Sequence, residues 1–189
     1  TVTTPSVDEN KSSSKTYVIP IGGGNAVLAS NADSLLTDEK ISPNGQYKIS
    51  SEEVKVKNVS GVDLYPNLQK SNVLVYDQLN YRHWDEWEDG KFGHVMITPL
   101  MEKEKVKDIM VGEPYDCPLK PDGGDEDFVW SNDGKKIVYA AKKKYGTAYA
   151  VSTNTDLYEY DLATGTTKNL TEDNKGYDLQ QIGRASCRE

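Results

Sequence analysis

The sequence predicts an all-β fold of short antiparallel strands, and three observations support this prediction. Residues 128–171 contain four short strand-like runs divided by polar turns, and about 45 residues is the size of one β-propeller blade. The step Asp133-Gly134 between two of these runs is a typical hairpin turn, because glycine accepts the positive φ that such a turn needs. The same turn pattern occurs a second time around Gly45. We therefore predict a partial β-propeller of about two and a half four-stranded antiparallel blades.

Residues 126–171 are predicted to form one complete blade. The run 137–141 is apolar at every position, as in a strand that is covered on both faces. In the next run Tyr158 and Tyr160 alternate with acidic residues, which is the period-two pattern of a half-buried strand. The three lysines at 142–144 are interpreted as the charged tip of a hairpin between these strands.

Residues 36–125 are predicted to form a second blade with a long insertion at 57–92. Both 41–49 and 130–138 contain an apolar residue, Ser, any residue, Asn or Asp, and then Gly, so the turn unit is repeated. Strands are expected at 47–56 and 94–98, with an outer strand at 106–110. Helical spacing of some residues in the insertion leaves a helical turn open as an alternative. These residues are Val73, Tyr76, Leu79, His83 and Trp87.

Both ends of the chain are predicted to be parts of blades. Residues 1–35 are interpreted as the end of one blade, with a polar loop over 1–14 and a hairpin around Gly22-Gly23-Gly24. No Gly-Lys-Ser/Thr sequence follows these glycines, which favours a turn over a phosphate-binding loop. Residues 172–181 are expected to lead into a truncated blade. Residues 182–189 resemble a translated sequencing adapter, and we expect them to be a non-native tail.

Composition limits the classes of partner. The 189-residue chain carries a formal net charge of −8, which disfavours nucleic acid and anionic membrane surfaces. It has no apolar run of about 18 residues, so no membrane span is expected. Two cysteines, Cys117 and Cys187, are too few for a disulfide framework. The chain begins with Thr rather than Met, and its true termini are therefore left open.

The most distinctive motif lies at 79–91 and contains Arg82-His83-Trp84-Asp85 and Trp87. Together with the segments 112–116, 123–127, 148–156 and 169–172, it resembles the amino-terminal propeller of prolyl-oligopeptidase-family serine peptidases. The nearest resemblance is to Bacteroidetes-type dipeptidyl-peptidase and acylaminoacyl-peptidase homologues, and it extends from Lys11 to Asp178.

This resemblance implies a propeller that precedes an α/β-hydrolase domain with a Ser, Asp, His triad. In such a protein the propeller gates access to the active site and positions short peptide substrates for the hydrolase domain. The present sequence has no Gly-x-Ser-x-Gly segment, and its two histidines are His83 and His94, so we expect no catalytic residue within this chain. No cofactor is implied, and a periplasmic or secreted location is expected. The alternative is a stand-alone, Tol-like propeller that binds proteins.

The candidate substrate-binding residues are Arg82, His83, Trp84, Asp85 and Trp87. A guanidinium group binds a peptide carboxylate, and a neighbouring carboxylate such as that of Asp85 or Glu86 binds an amino group. The structural alternative is that Trp84 and Trp87 anchor the insertion while Arg82 pairs with Asp85.

Two metal hypotheses are weaker. A site formed by His83, Asp85 and His94 has suitable ligand types, but we favour no metal there. An acidic loop could offer oxygen ligands to calcium, yet its spacing fits no calcium loop and a solvated surface is favoured. Its members are Asp122, Asp125, Glu126 and Asp127. Cys117 has no neighbouring histidine in the sequence, and we expect it to be unreactive.

Overall fold

A computed structural model describes residues 40–83, 85–100 and 105–179, together with the backbone of three strands at 2–5, 14–18 and 27–28. This part is mostly β, in antiparallel sheets, with a few short helices, so the predicted β character is confirmed. No helix within the described ranges is long and apolar enough to cross a membrane.

In chain order the strands are β1 (Val2–Pro5), β2 (Ser14–Val18), β3 (Val27–Leu28), β4 (Tyr47–Lys55), β5 (Arg82–His83), β6 (Glu86–Trp87), β7 (Lys91–Pro99), β8 (Lys107–Asp108), β9 (Phe128–Trp130), β10 (Lys136–Ala141), β11 (Asp156–Asp161) and β12 (Thr167–Asn169). The helices are α1 (Gly61–Leu64), α2 (Thr147–Val151) and a 3₁₀ turn (Asp125–Asp127).

The chain divides into two compact units, Thr1–Asp38 and Glu39–Glu189. In the first unit β1, β2 and β3 form an antiparallel sheet in that order. The strands of the predicted hairpin, β2 and β3, are confirmed, while Gly22-Gly23-Gly24 lie outside the described residues. The expected loop over 1–14 is wrong at β1, where a run of β-branched residues favours a strand.

In the second unit β4, β7 and β8 form one antiparallel sheet. β4 and β7 pair along their full length, from Tyr47 opposite Pro99 to Lys55 opposite Lys91. β8 adds a short outer strand, and Ile41 adds a single bridge to the other side of β4. The strands predicted at 47–56 and 94–98 are confirmed, and the outer strand predicted at 106–110 is confined to two residues.

The third sheet contains β9 to β12 in the order β12-β11-β10-β9, with each strand antiparallel to its neighbour. Tyr158 and Tyr160 on β11 are buried and alternate with half-buried residues, as the period-two pattern predicts. On β10, Ile137 and 139–141 are buried, in agreement with a strand that is covered on both faces. The four strands predicted within 126–171 are therefore all present.

The repeated turn unit has the same hydrogen bonds in both sheets. The Ser42 hydroxyl donates to Asn44 Oδ1 over 2.7 Å, and the Ser131 hydroxyl donates to Asp133 Oδ1 over 2.7 Å. In each turn the serine Oγ also accepts the amide of the residue five positions later, over 2.9 Å and 3.0 Å. The glycine that follows the Asn or Asp has a φ of 68° or 67°, which explains why glycine is required there. The repeat predicted from the sequence is therefore also a structural repeat.

The core of the second unit lies between its two larger sheets. Ile49 and Val95 on one sheet are fully buried, as are Phe128, Ile137 and Tyr139 on the other. Burial of each such side chain contributes about 1.5–3 kcal/mol. The Tyr47 and Trp130 rings meet across the interface with centroids 6.5 Å apart, which joins the two turn units.

The long connection between β4 and β7 has little regular structure. It contains the four-residue helix α1 and the small hairpin of β5 and β6. The helical turn left open for Val73 to Trp87 is wrong: the described residues of this stretch form loops and the β5–β6 hairpin. Val73 and Leu79 are 47% and 41% exposed, so no core is available to bury a helical apolar face.

Candidate functional site

Loops from both larger sheets surround one cleft. It is formed by the β4–β7 connection, the β10–β11 connection and the segment that precedes β9, and its volume is about 170 Å³. Its charged lining residues are Lys57, Glu88, Asp116, Lys120, Lys142 and Lys144. Its aromatic lining residues are Phe92, Tyr115, Tyr145, Tyr149 and Tyr177. Charged groups beside aromatic walls are a typical lining of a site for small polar ligands.

The predicted substrate-binding residues lie in the β5–β6 hairpin. Arg82 is paired with Trp87, and His83 with Glu86, which leaves Asp85 in the turn. The Arg82 guanidinium carbon lies 5.2 Å from the centre of the Trp87 ring, and in the described part of the chain Arg82 forms no ion pair with Asp85. The pairing proposed in the structural alternative is therefore wrong, and Trp84 lies outside the described residues.

An aromatic cluster supports this hairpin. The rings of Tyr76, Tyr81 and Trp87 lie 5.8–6.3 Å from one another, centre to centre. Trp87 remains 53% exposed and Tyr81 43% exposed. The cluster thus fixes the hairpin by ring contacts while it leaves one aromatic surface accessible to a ligand.

Glu88 connects the hairpin to the cleft. The Glu88 amide donates to the Tyr81 carbonyl over 3.1 Å, and the Tyr76 hydroxyl donates to the Glu88 carbonyl over 2.7 Å. The Glu88 side chain then lines the cleft. The predicted residues Arg82, His83, Asp85 and Trp87 are therefore beside the cleft, although none of them belongs to its lining.

Glu88 and Asp116 form an acidic pair around Lys120. Lys120 Nζ lies 3.4 Å from Asp116 Oδ1 and 3.9 Å from Glu88 Oε2. Burial raises the pKa of both carboxyl groups, although the nearby ammonium opposes this rise. Burial also opposes the charge of Lys120, but Asp116 and Glu88 outweigh it and raise the pKa of the ammonium. Two acids sharing one base leave this side of the cleft with an excess of negative charge.

The lysines at 142–144 are not a solvated tip. Lys143 Nζ lies 2.6 Å from Glu113 Oε2, donates to the Tyr139 hydroxyl and sits 4.1 Å from the centre of the Tyr158 ring. Lys142 and Lys144 line the cleft instead. The expected charged tip is therefore wrong, because the chain continues into α2 and folds these side chains against the sheet.

His94 has a structural position below the cleft. It is fully buried, with Nδ1 2.8 Å from Asp108 Oδ2 and Nε2 2.8 Å from the Glu113 carbonyl oxygen. Both ring nitrogens are thus occupied by contacts within its own sheet and the adjoining loop. No group of three His, Cys, Asp or Glu residues suited to a metal occurs among the described residues.

The acidic loop is only partly a solvated surface. Asp127 is 1% exposed, and its Oδ2 accepts the Leu119 amide over 2.8 Å, so the expectation of a solvated loop is wrong at this residue. Asp122, Asp125 and Glu126 are exposed, as expected. Cys117 is fully buried, and burial raises the pKa of its thiol well above the ordinary value.

Sequence reasoning did not identify most of the cleft. Lys120 and Lys142 come from segments that look like ordinary loops, and their spacing in the chain carries no motif. Glu88 lies within the distinctive stretch at 79–91, and Asp116 and Tyr149 lie within the segments 112–116 and 148–156, which also carry the resemblance, but no spacing indicates that these residues meet. The position of that stretch beside the cleft is visible only in the tertiary structure.

Comparison with curated proteins gives similarity to peptidases. The chain is 47% identical over 118 residues to dipeptidyl-peptidase 5 of Porphyromonas gingivalis, which covers 61% of this chain and 17% of that protein. It is 39% identical over 145 residues to dipeptidyl-peptidase 5 of Porphyromonas endodontalis, covering 76% of this chain and 21% of that protein. It is 30% identical over 176 residues to dipeptidyl-peptidase 5 of Schizosaccharomyces pombe, covering 87% of this chain and 24% of that protein. No family model matches the chain.

The chain therefore spans about a fifth of the length of the curated relatives that it matches, between 17% and 24%. Homologues with this name cover between 61% and 87% of the chain, which supports a relationship to dipeptidyl peptidases.

Proposed function

We propose that this chain is the propeller part of a serine exopeptidase that hydrolyses short peptides. In this proposal 36–125 and 126–171 are successive blades, 1–35 is the end of another blade and 172–181 leads into the next. An α/β-hydrolase domain elsewhere in the protein supplies the catalytic triad, and the location is periplasmic or secreted. The observation that carries the proposal is the similarity to dipeptidyl-peptidase 5 proteins over most of the chain.

The sheets give independent support to the blade interpretation. In one sheet Ile41, β4, β7 and β8 lie side by side in chain order, and in the other β9 to β12 do the same, with antiparallel neighbours throughout. In both sheets the same serine turn leads from the first of these segments to the second. They also pack face to face through one apolar core. Repetition of one unit with face-to-face packing is the arrangement that successive propeller blades need.

The proposed role of the loops is to gate access and to position the substrate. The β5–β6 hairpin with Arg82, His83, Trp84, Asp85 and Trp87 is proposed to contact the peptide, with the exposed Trp87 ring against its side chains. The acidic pair of Glu88 and Asp116 has the charge needed to bind a peptide amino group. This gives the cleft a polarity that an exopeptidase can use to select free chain ends.

The test is expression of the complete polypeptide that contains this chain. We expect labelling by a serine-directed fluorophosphonate and release of dipeptides from short peptides with a free amino terminus. Trp87→Ala is expected to reduce kcat/KM about tenfold, since it removes one aromatic contact surface of the hairpin. Tyr65→Ala is not, because it removes a ring that is 51% exposed but lies outside the aromatic cluster of Tyr76, Tyr81 and Trp87. A complete gene without a Gly-x-Ser-x-Gly segment, or a protein that the reagent does not label, would contradict the proposal and favour a stand-alone protein-binding propeller.

A further inference from the structure

The cleft contains ammonium groups that are held by rings rather than by acids. Lys57 Nζ lies 4.1 Å from the centre of the Tyr145 ring, and Lys142 Nζ lies 4.1 Å from the centre of the Tyr149 ring. Lys144 lies on the same lining. All three lysines are half-buried. Such contacts hold an ammonium group by attraction to the ring face, and the N–H groups that do not point at the ring stay available for an acceptor.

The charge of these lysines is not balanced within the described part of the chain. There, no carboxylate forms an ion pair with Lys57, Lys142 or Lys144, whereas the adjacent Lys143 is paired with Glu113. Burial lowers the pKa of the Lys142 ammonium, and no acid opposes this shift. A chain of net charge −8 has ample carboxylates, yet none of those in the described residues pairs with these three lysines.

We propose that Lys57, Lys142 and Lys144 in the lining of the cleft bind a carboxylate of a short peptide. This inference rests on the proposed function, because it assigns a second recognition element to the same cleft. A carboxylate is the group that half-buried ammonium donors recognise best, through short charge-assisted hydrogen bonds. The tyrosine rings beside these lysines provide flat apolar walls for the peptide that carries it.

The lining of the cleft carries charges of both signs, which act differently on the two ends of a peptide. Glu88 and Asp116 repel a carboxylate and attract an ammonium group, while the three lysines do the reverse. The volume of the cleft is about 170 Å³, and an adjoining cavity of about 410 Å³ shares Lys57, Glu88 and Tyr145 with its lining. Small ligands occupy cavities of about 300–1,000 Å³, so the cleft and its neighbour are suited to a short peptide rather than to a folded protein.

The test measures binding to the complete polypeptide after treatment with a serine-directed fluorophosphonate, so that any hydrolysis is stopped. Three probes are titrated by calorimetry at low salt: acetyl-Gly-Ala with a free carboxylate, the same peptide as its amide, and acetyl-Gly-Glu amide. The first and second differ only in the terminal carboxylate, and the third carries its carboxylate on a side chain. We expect at least one of the acidic probes to bind about tenfold more tightly than the neutral amide. Binding should weaken as the salt concentration rises.

Matched variants assign this binding to the cleft. Lys142→Gln and Lys57→Gln each remove one ammonium group and are expected to weaken the acidic probe about tenfold, with little effect on the neutral amide. Lys135→Gln is the control, because Lys135 is exposed in the β9–β10 turn, at the other end of β10 from Lys142. Lys142→Arg keeps the charge and should retain most of the affinity, which separates a lost charge from a disturbed fold.

The outcomes distinguish a carboxyl terminus from an acidic side chain as the ligand. They also distinguish failure of the carboxylate site from failure of the peptidase proposal. Preference for the free terminus identifies a peptide carboxyl end as the ligand, and preference for the glutamyl probe identifies an acidic side chain. Equal affinity for acidic and neutral probes, or equal losses in Lys142→Gln and Lys135→Gln, would overturn the carboxylate site. Absence of fluorophosphonate labelling with intact carboxylate binding would refute the peptidase assignment alone.

Discussion

Gly90 closes the base of the β4–β7 connection, and its replacement gives a sharp test of how the cleft is held. Its carbonyl accepts the amides of Val56 and Lys57 over 2.9 Å and 3.0 Å. Gly90 has a φ of 83°, and a Cβ added there would lie 2.1 Å from the Lys57 carbonyl oxygen. Gly90→Ala therefore combines a strained backbone with a clash against backbone that cannot rotate away.

The magnitude follows from separating these two effects. A left-handed backbone conformation costs an alanine about 1 kcal/mol relative to glycine. Overpacking adds about 1–3 kcal/mol. We therefore expect Gly90→Ala to lower the free energy of unfolding by about 2–4 kcal/mol.

Gly45→Ala provides the matched control. Gly45 has a φ of 68°, but an added Cβ there meets nothing within 4 Å, so this variant should lose only about 1 kcal/mol. The assay is urea unfolding monitored by tryptophan fluorescence. The midpoints of the two variants report their stabilities directly if their m-values are the same. Equal losses in Gly90→Ala and Gly45→Ala would refute the clash and, with it, the rigid attachment of the connection at Gly90.

Further predictions concern the charged groups and the turn. Lys143→Met should lower the free energy of unfolding by about 1–3 kcal/mol, because Glu113 keeps its charge without its partner. The double variant with Glu113→Gln should recover part of this loss. A double variant that is less stable than Lys143→Met would contradict the pairing. Burial raises the pKa of Glu88, so its contribution to stability is present below the pKa of the unfolded state and is lost as the pH rises through the folded-state pKa. Glu88→Gln should therefore raise Tm relative to the unmodified chain more at pH 8 than at pH 4, and a difference of the opposite sign would count against a buried carboxylate. Ser131→Ala should destabilise the β9–β10 turn by about 1 kcal/mol, since it removes the acceptor of the Lys136 amide. Asn132→Ala, at an exposed position of the same turn, serves as the control and should leave stability nearly unchanged.

The sequence predicted the strands well where the pattern was local. The strands within 126–171 and the serine turns at Ser42 and Ser131 follow from alternation and from glycines with positive φ, and the structure confirms them. The spacing of apolar residues between Val73 and Trp87 suggested a helical turn that is not formed. These side chains have no core to pack against, since Val73 and Leu79 are exposed. The strand β1 was not predicted because its short β-branched run lies within a stretch that is otherwise polar.

The candidate site was predicted only in part. The distinctive stretch at 79–91 contains Glu88, which lines the cleft, and the hairpin of Arg82 and Trp87 comes directly before Glu88 in the chain. Lys142 and Lys143 looked alike in the sequence, yet one lines the cleft and the other pairs with Glu113. The difference arises from neighbours supplied by other loops, which no pattern within residues 142–144 contains.

By itself the sequence determined the β class, the repeated turn unit and the relationship to dipeptidyl peptidases, because each depends on residues that are close together in the chain or on residue identity. Only the tertiary structure decided which side chains share the cleft and which charges remain unbalanced there. Its lining joins residues from Lys57 to Tyr177, and elsewhere in the second unit a hydrogen bond joins residues 90 positions apart, from Trp130 to Lys40. Burial and pairing of charges depend on such distant contacts, and local sequence patterns do not encode them.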